Sequence, residues 1–125
     1  MNKKVNGKRE GYWEGYWSNG KLNYKGNYKD GKQDGCWERY WPGGKLMCKG
    51  NFKNEKQEGY WEEYWKNGKL WYKGNYKNGE SDGYWEWYWA SGKLNWRGYY
   101  KDGMKTGYWE GFYKNAIPAH QIFYY

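Results

Sequence analysis

Five glutamates, Glu14, Glu38, Glu62, Glu86 and Glu110, recur at intervals of 24 residues, each directly after a tryptophan. A carboxylate can act as a general acid, a base or a nucleophile. Glycoside chemistry, however, needs one distinctive pair held about 5 Å apart in a retaining enzyme, and no two of these five stand out from the rest. The other reactive side chains are sparse. His120 is the single histidine, and Cys36 and Cys48 stand where other units carry Tyr or Trp. One histidine and two scattered cysteines do not make a zinc set. Ser18, Ser81 and Ser91 fall at turns, and no glycine cluster opens a helix to cradle phosphate. The chain is therefore expected to have no catalytic residues, no metal site and no cofactor, and to act by binding.

The spacing itself is the stronger signal. Trp13, Trp37, Trp61, Trp85 and Trp109 share the period, as do Gly11, Gly35, Gly59, Gly83 and Gly107. A fixed period in this range marks an array in which each unit buries its face against its neighbours. The units are 11–34, 35–58, 59–82, 83–106 and a shortened, degenerate capping unit 107–125, within one domain spanning 1–125. Aromatic residues make up 26% of the chain, against seven Val, Ile and Leu in all. An aliphatic core cannot be built from that supply, so whatever is buried is aromatic, and the architecture expected is thin and elongated.

Within a unit the side chains alternate with the two-residue period of a strand. Lys21, Asn23, Lys25, Asn27 and Lys29 fall on one face, and Leu22, Tyr24, Gly26 and Tyr28 on the other. Asn19-Gly20, Gly43-Gly44, Asn67-Gly68 and Ser91-Gly92 suit two-residue type I′ hairpin loops. Such a loop sets Trp17 against Leu22, Glu14 against Lys25 and Trp13 against Gly26. It repeats the charge pair as Glu38 with Lys49, Glu62 with Lys73 and Glu86 with Arg97, each pair worth about 0.2–1 kcal/mol. A three-residue loop with a glycine bulge is the competing form, and it would set Trp13 against Lys25. The second linkers end in Asp30-Gly31, Asn78-Gly79 and Asp102-Gly103, with Asn54-Glu55 the exception, for which a looser loop is expected. The fold class that follows is all-β: an elongated single-layer antiparallel β-meander of 24-residue hairpins, with nine or ten strands. Trp13, Trp37, Trp61, Trp85 and Trp109 are its structural residues, covering Gly26, Gly50, Gly74 and Gly98.

The net charge of +8 favours anionic partners. Lys21, Lys45, Lys69 and Lys93 form one expected row and Lys29, Lys53, Lys77 and Lys101 another, with equivalent residues about 10 Å apart. Three aromatics break the period. Trp71 stands where units one and four carry Asn, Trp87 replaces Gly15, Arg39 or Glu63, and Tyr99 replaces Asn27. With Lys69, Lys73 and Lys93 they are the candidate binding residues, Trp71 being expected on the lysine face. A protein partner with an acidic surface, or a second copy of the chain, fits such a surface; nucleic acid or an anionic lipid head group is the alternative. Met1-Asn2-Lys3-Lys4 leads into no apolar run and nothing approaches a membrane span, so a cytoplasmic protein, at most peripheral to membranes, is expected.

The run from Tyr24 to Gly35, with Tyr24, Gly26, Tyr28, Gly31 and Gly35 in place, resembles the MORN repeat. Tyr72 to Gly83 and Trp96 to Gly107 repeat the match, and Cys48 to Gly59 departs from it at Cys48 and Glu55. The resemblance covers about residues 11–113 and is nearest to variant MORN repeats of bacterial and viral proteins, some of them antitoxins. It implies an elongated hairpin meander used in protein scaffolding or phospholipid contact, with motif residues that are structural. Tyr99 to Trp109 also resembles choline- or glucan-binding repeats, which hold their ligands in aromatic cages.

Overall fold

The computed structural model describes all 125 residues and contains eleven strands and no helix: β1 (Lys3–Val5), β2 (Lys8–Tyr16), β3 (Leu22–Lys29), β4 (Lys32–Tyr40), β5 (Leu46–Lys53), β6 (Lys56–Tyr64), β7 (Leu70–Lys77), β8 (Glu80–Tyr88), β9 (Leu94–Lys101), β10 (Met104–Phe112) and β11 (Pro118–Tyr124). They form one antiparallel sheet in chain order, with β1 and β11 as its free edges. The expected meander is thus present, with one strand more than its upper count. The extra strand is β1, joined to β2 through Asn6-Gly7, whose φ of 51° and 78° match the turn at Asp30-Gly31. Asn2 extends this edge with its side chain: its amide accepts from Glu14 N and donates to Glu14 O, as a strand backbone would.

The type I′ turns lie at the second linkers and not, as expected, at Asn19-Gly20 and its equivalents. Type I′ geometry occurs at Asp30-Gly31 (φ 52° and 79°), and Asn54-Glu55 adopts it too, holding Glu55 at φ 68° instead of loosening the loop. At the opposite end Gly20 N donates to Trp17 O and Trp17 N to Lys21 O, with Gly20 at φ 84°. That is the three-residue loop with a glycine bulge, so Trp17 does not face Leu22; Tyr16 does. The strand register nevertheless falls where the two-residue loop would put it, Trp13 against Gly26 and Glu14 against Lys25. A second bulge, at Asn23, takes up the extra residue of the loop. The last unit keeps the same tip, with Ala116 at φ 70° in the glycine position.

The core is a zip of rings on one face. Trp37, Trp61, Trp85 and Trp109 are 2–6% exposed and Trp13 8%. Tyr28, Phe52, Tyr76, Tyr100 and Tyr124 alternate with them, edge to face, in nine successive contacts of 5.0–6.3 Å from Trp13 to Tyr124. Edge-to-face pairs place the positive rim of one ring on the negative face of the next, worth about 0.5–1.5 kcal/mol each beyond the buried area. Four of the five lie flat on a strand glycine, Trp37 on Gly26, Trp61 on Gly50, Trp85 on Gly74 and Trp109 on Gly98, each covering the glycine of the preceding strand and not the one that the hairpin tip sets opposite it. A Cβ at Gly26 would sit 2.2 Å from the Trp37 ring, and one at Gly74 2.1 Å from Trp85. Gly35 and its equivalents answer a different need. Nothing lies near a Cβ there, but φ is +75° at a bulge where Gly35 and Cys36 have no partners on β3.

Candidate functional site

The opposite face carries the charges. Every glutamate of the 24-residue series from Glu38 to Glu110 lies beside a lysine or arginine on both flanking strands or on one, and each cation between two of them closes on one. The contacts formed are Lys49 with Glu62 at 3.5 Å, Lys73 with Glu86 at 3.3 Å and Arg97 with Glu110 at 2.8 Å. These are not the pairs expected from the hairpin-tip register: Lys49, Lys73 and Arg97 have each turned to the carboxylate on the other side, and Lys25 closes on neither Glu14 nor Glu38. Tyrosines complete the clusters: Glu62 accepts from Tyr60 and Tyr64, and Glu86 from Tyr84 and Tyr88. Burial, then the hydrogen bond to Glu62 and its charge, pushes the Tyr60 hydroxyl up to about 12, and Tyr84 beside Glu86 likewise to about 12. Burial alone would raise the Glu62 carboxyl, but bonds from Tyr64, Tyr60 and Lys49 together hold it below the usual range.

The six candidate binding residues do not share one surface. Trp71 occupies the bulge position of β7, between Leu70, which pairs with Tyr64, and Tyr72, which pairs with Glu63. The bulge takes it out of the alternation, so it does not stand among the lysines. Its ring packs on Trp65 at 4.9 Å and stays 38% exposed at the hairpin-tip edge. Trp87 lies on the tryptophan face, stacked on Trp85 at 5.7 Å and near Trp109 at 5.6 Å. Tyr99 lies on the charged face, against Tyr84 at 5.3 Å, and is 48% exposed. The Lys69 ammonium donates to Ser91 O of the next hairpin tip at 2.8 Å, as Lys21 does to Gly43 O and Lys45 to Asn67 O. Lys93 closes that row without such a bond, and Lys73 is paired with Glu86.

Sequence reading missed the company Tyr99 keeps. Arg97 replaces the lysine found at positions 25, 49 and 73, two residues before Tyr99 on the same face. Its guanidinium binds Glu110 through Nε and Nη2, and with Tyr84, Tyr99 and Tyr108 it lines a cleft of about 290 Å³. The signal was available, because Arg97 breaks the period as Tyr99 does. At the type I′ edge, Lys29 lies directly opposite Lys32 and Lys53 opposite Lys56, all four exposed and none in an ion pair.

A third set lies on the tryptophan face, in the row beside the buried rings. There the strands place Tyr24, Arg39, Cys48, Glu63, Tyr72, Trp87 and Trp96 side by side. The row is aromatic towards β9, where Trp96 stacks on His120 at 5.8 Å and 7°. It is charged on β4 and β6. Cys48 between them is buried, which pushes its thiol up to about 12, and no histidine or second cysteine adjoins it. No helix is long and apolar enough to cross a membrane.

A family model described as "MORN repeat variant" matches four consecutive segments, residues 9–30, 33–54, 57–78 and 81–102. Each match begins in the first strand of a hairpin and ends at the first residue of the following type I′ turn. No curated protein matches the chain.

Proposed function

The chain belongs to the MORN repeat family, in its variant form, and from that membership we propose that it is a non-enzymatic interaction module whose partner is a protein docking on the charged, tyrosine-bearing face. The observation that carries this reading is the cluster of Tyr84, Tyr99 and Tyr108 around Arg97. Tyrosine and arginine are enriched where protein interfaces concentrate their energy, since each offers a large rigid area with a polar end. The three tyrosines are 39–48% exposed and need no rearrangement to meet a partner. The chain's net charge of +8 favours the approach of an acidic surface. For a toxin-neutralising member, the partner would be the toxin.

Tyr99→Asn together with Arg97→Lys restores the residues of the first three units, so the fold should be kept. Capture of partners from native lysate by wild type and variant, compared at equal melting temperature, tests the reading. A partner retained by the wild type and lost by the variant supports it, whereas identical captured sets count against it.

A second reading is binding of a polyanion, nucleic acid or anionic lipid, at the type I′ edge. It is supported by the facing pairs Lys29 with Lys32 and Lys53 with Lys56, since like charges set directly opposite repel unless an anion lies between them. Polyanion binding would weaken steeply with salt and would be indifferent to Tyr99→Asn.

A further inference from the structure

Glu63 alters the one structural tryptophan beside it. In the other units the indole Nε1–H donates to a backbone carbonyl, Trp37 to Asn27, Trp85 to Asn75 and Trp109 to Tyr99. Trp61 donates to Glu63 Oε2 at 2.7 Å instead. Its ring is turned accordingly. Over Gly26, Gly74 and Gly98 lie the ring-fusion atoms and Cγ, but over Gly50 the nearest atom is Cε3 of the six-membered ring. The aromatic zip has thus been locally rebuilt around a carboxylate that stands where units one and five carry Gly15 and Gly111.

This carboxylate is half-buried and has no cation in contact. Burial raises its pKa, against the hydrogen bonds from Trp61 and Cys48 and the charge of Arg39. Arg39 stands two strands away across Cys48, and the two side chains do not form an ion pair. Their backbones are thus about 10 Å apart. Between them opens a cleft of about 400 Å³, walled by Trp37, Phe52 and Trp61 and bearing Arg39 and Glu63. That volume suits a small molecule. Both indole rings are almost covered, so the carboxylate is what attracts an ammonium group, and the free guanidinium binds a carboxylate through paired hydrogen bonds.

We propose that this cleft binds a small zwitterion, its ammonium group held by Glu63 beside Trp61 and its carboxylate by Arg39 beside Trp37. The site uses the other face and other units than the protein-binding surface and stands independently of it.

The test titrates the protein with 4-trimethylammoniobutanoate, and separately with tetramethylammonium and butanoate as its two halves. Calorimetry and the indole N–H resonances give the readout. The zwitterion should bind at least tenfold more tightly than either half and should shift the Trp61 resonance. Glu63→Gln should weaken the zwitterion and tetramethylammonium tenfold or more. Arg39→Gln should reduce the zwitterion to the level of tetramethylammonium. Should Glu63→Gln fold poorly, Glu63→Gly, which restores the residue of units one and five, replaces it. No saturable binding by the wild type, or undiminished binding after loss of the Glu63 charge in a folded variant, overturns the proposal.

Discussion

Two sets of glycines recur with the same period for different physical reasons, and single substitutions separate them. Gly74 gives up its side chain to space, since a Cβ there meets Trp85 at 2.1 Å, a buried ring that cannot move away without breaking its contacts with Tyr76 and Tyr100. Gly83 gives it up to backbone conformation, with φ at +77° and nothing near a Cβ. Gly74→Ala should therefore cost about 1–3 kcal/mol or more through overpacking, and Gly83→Ala about 1–2 kcal/mol through left-handed strain. The near-ultraviolet circular dichroism of the buried tryptophans should change in Gly74→Ala and not in Gly83→Ala. Urea melts give the energies, and unchanged tryptophan signals in Gly74→Ala would contradict the role assigned to the ring. Of the first role the sequence disclosed that a tryptophan covers the glycine, but it pointed to the wrong tryptophan, since the hairpin sets Gly74 opposite Trp61 while the ring lying on it is Trp85. It hid the second, since an invariant glycine at a bulge looks the same in one dimension as one at a contact.

At the scale of the hairpin, register was legible and turn type was not. Alternation and the Glu–Lys pattern fix which residues face each other, and burial of one face makes a slip of one residue costly. The three-residue loop and the bulge at Asn23 cancel in that count, so the register was right although the loop preferred for it was not. The same cancellation misplaced Trp71, because a bulge residue belongs to neither face of a strict alternation. The paired hairpins also make a prediction for alkaline solution. Tyr60 and Tyr84 are raised to about 12 by burial, by their hydrogen bonds to Glu62 and Glu86 and by those charges, against about 10 in an unfolded chain. A raised folded value means that their contribution is fully present below pH about 10 and is lost as the pH rises towards 12. Thermal melts across that window should show a falling midpoint. Replacing Glu62 and Glu86 by Gln should shrink the fall by removing the carboxylate part of the shift, and a fall of the same size in that variant would show that burial alone sets it.

As a whole the molecule is a one-dimensional stack in which each hairpin touches only its neighbours, so its length is set by the number of units. Inserting a second copy of residues 59–82 after Asp82 should add two strands, lengthen the sheet by about 10 Å and raise the urea midpoint, with scattering and chemical melts as the readouts. A shorter particle or a lower midpoint would mean that the ends, not the repeats, hold the sheet. What the repeat could not disclose is which faces its exceptions would reach. Trp71, Trp87 and Tyr99 lie on the neighbouring strands β7, β8 and β9 and part to an edge and two faces, because the first sits at a bulge and the other two hold positions of opposite parity in the paired register. The continuous run of rings from Trp13 to Tyr124 has an optical consequence. With each ring 5.0–6.3 Å from the next, light absorbed by a tyrosine passes to tryptophan before it can be emitted, and tryptophan excitation then wanders along the sheet. The protein should therefore act as an antenna, with emission that is depolarised and reports the lowest-energy indole in the array, which fluorescence anisotropy would read.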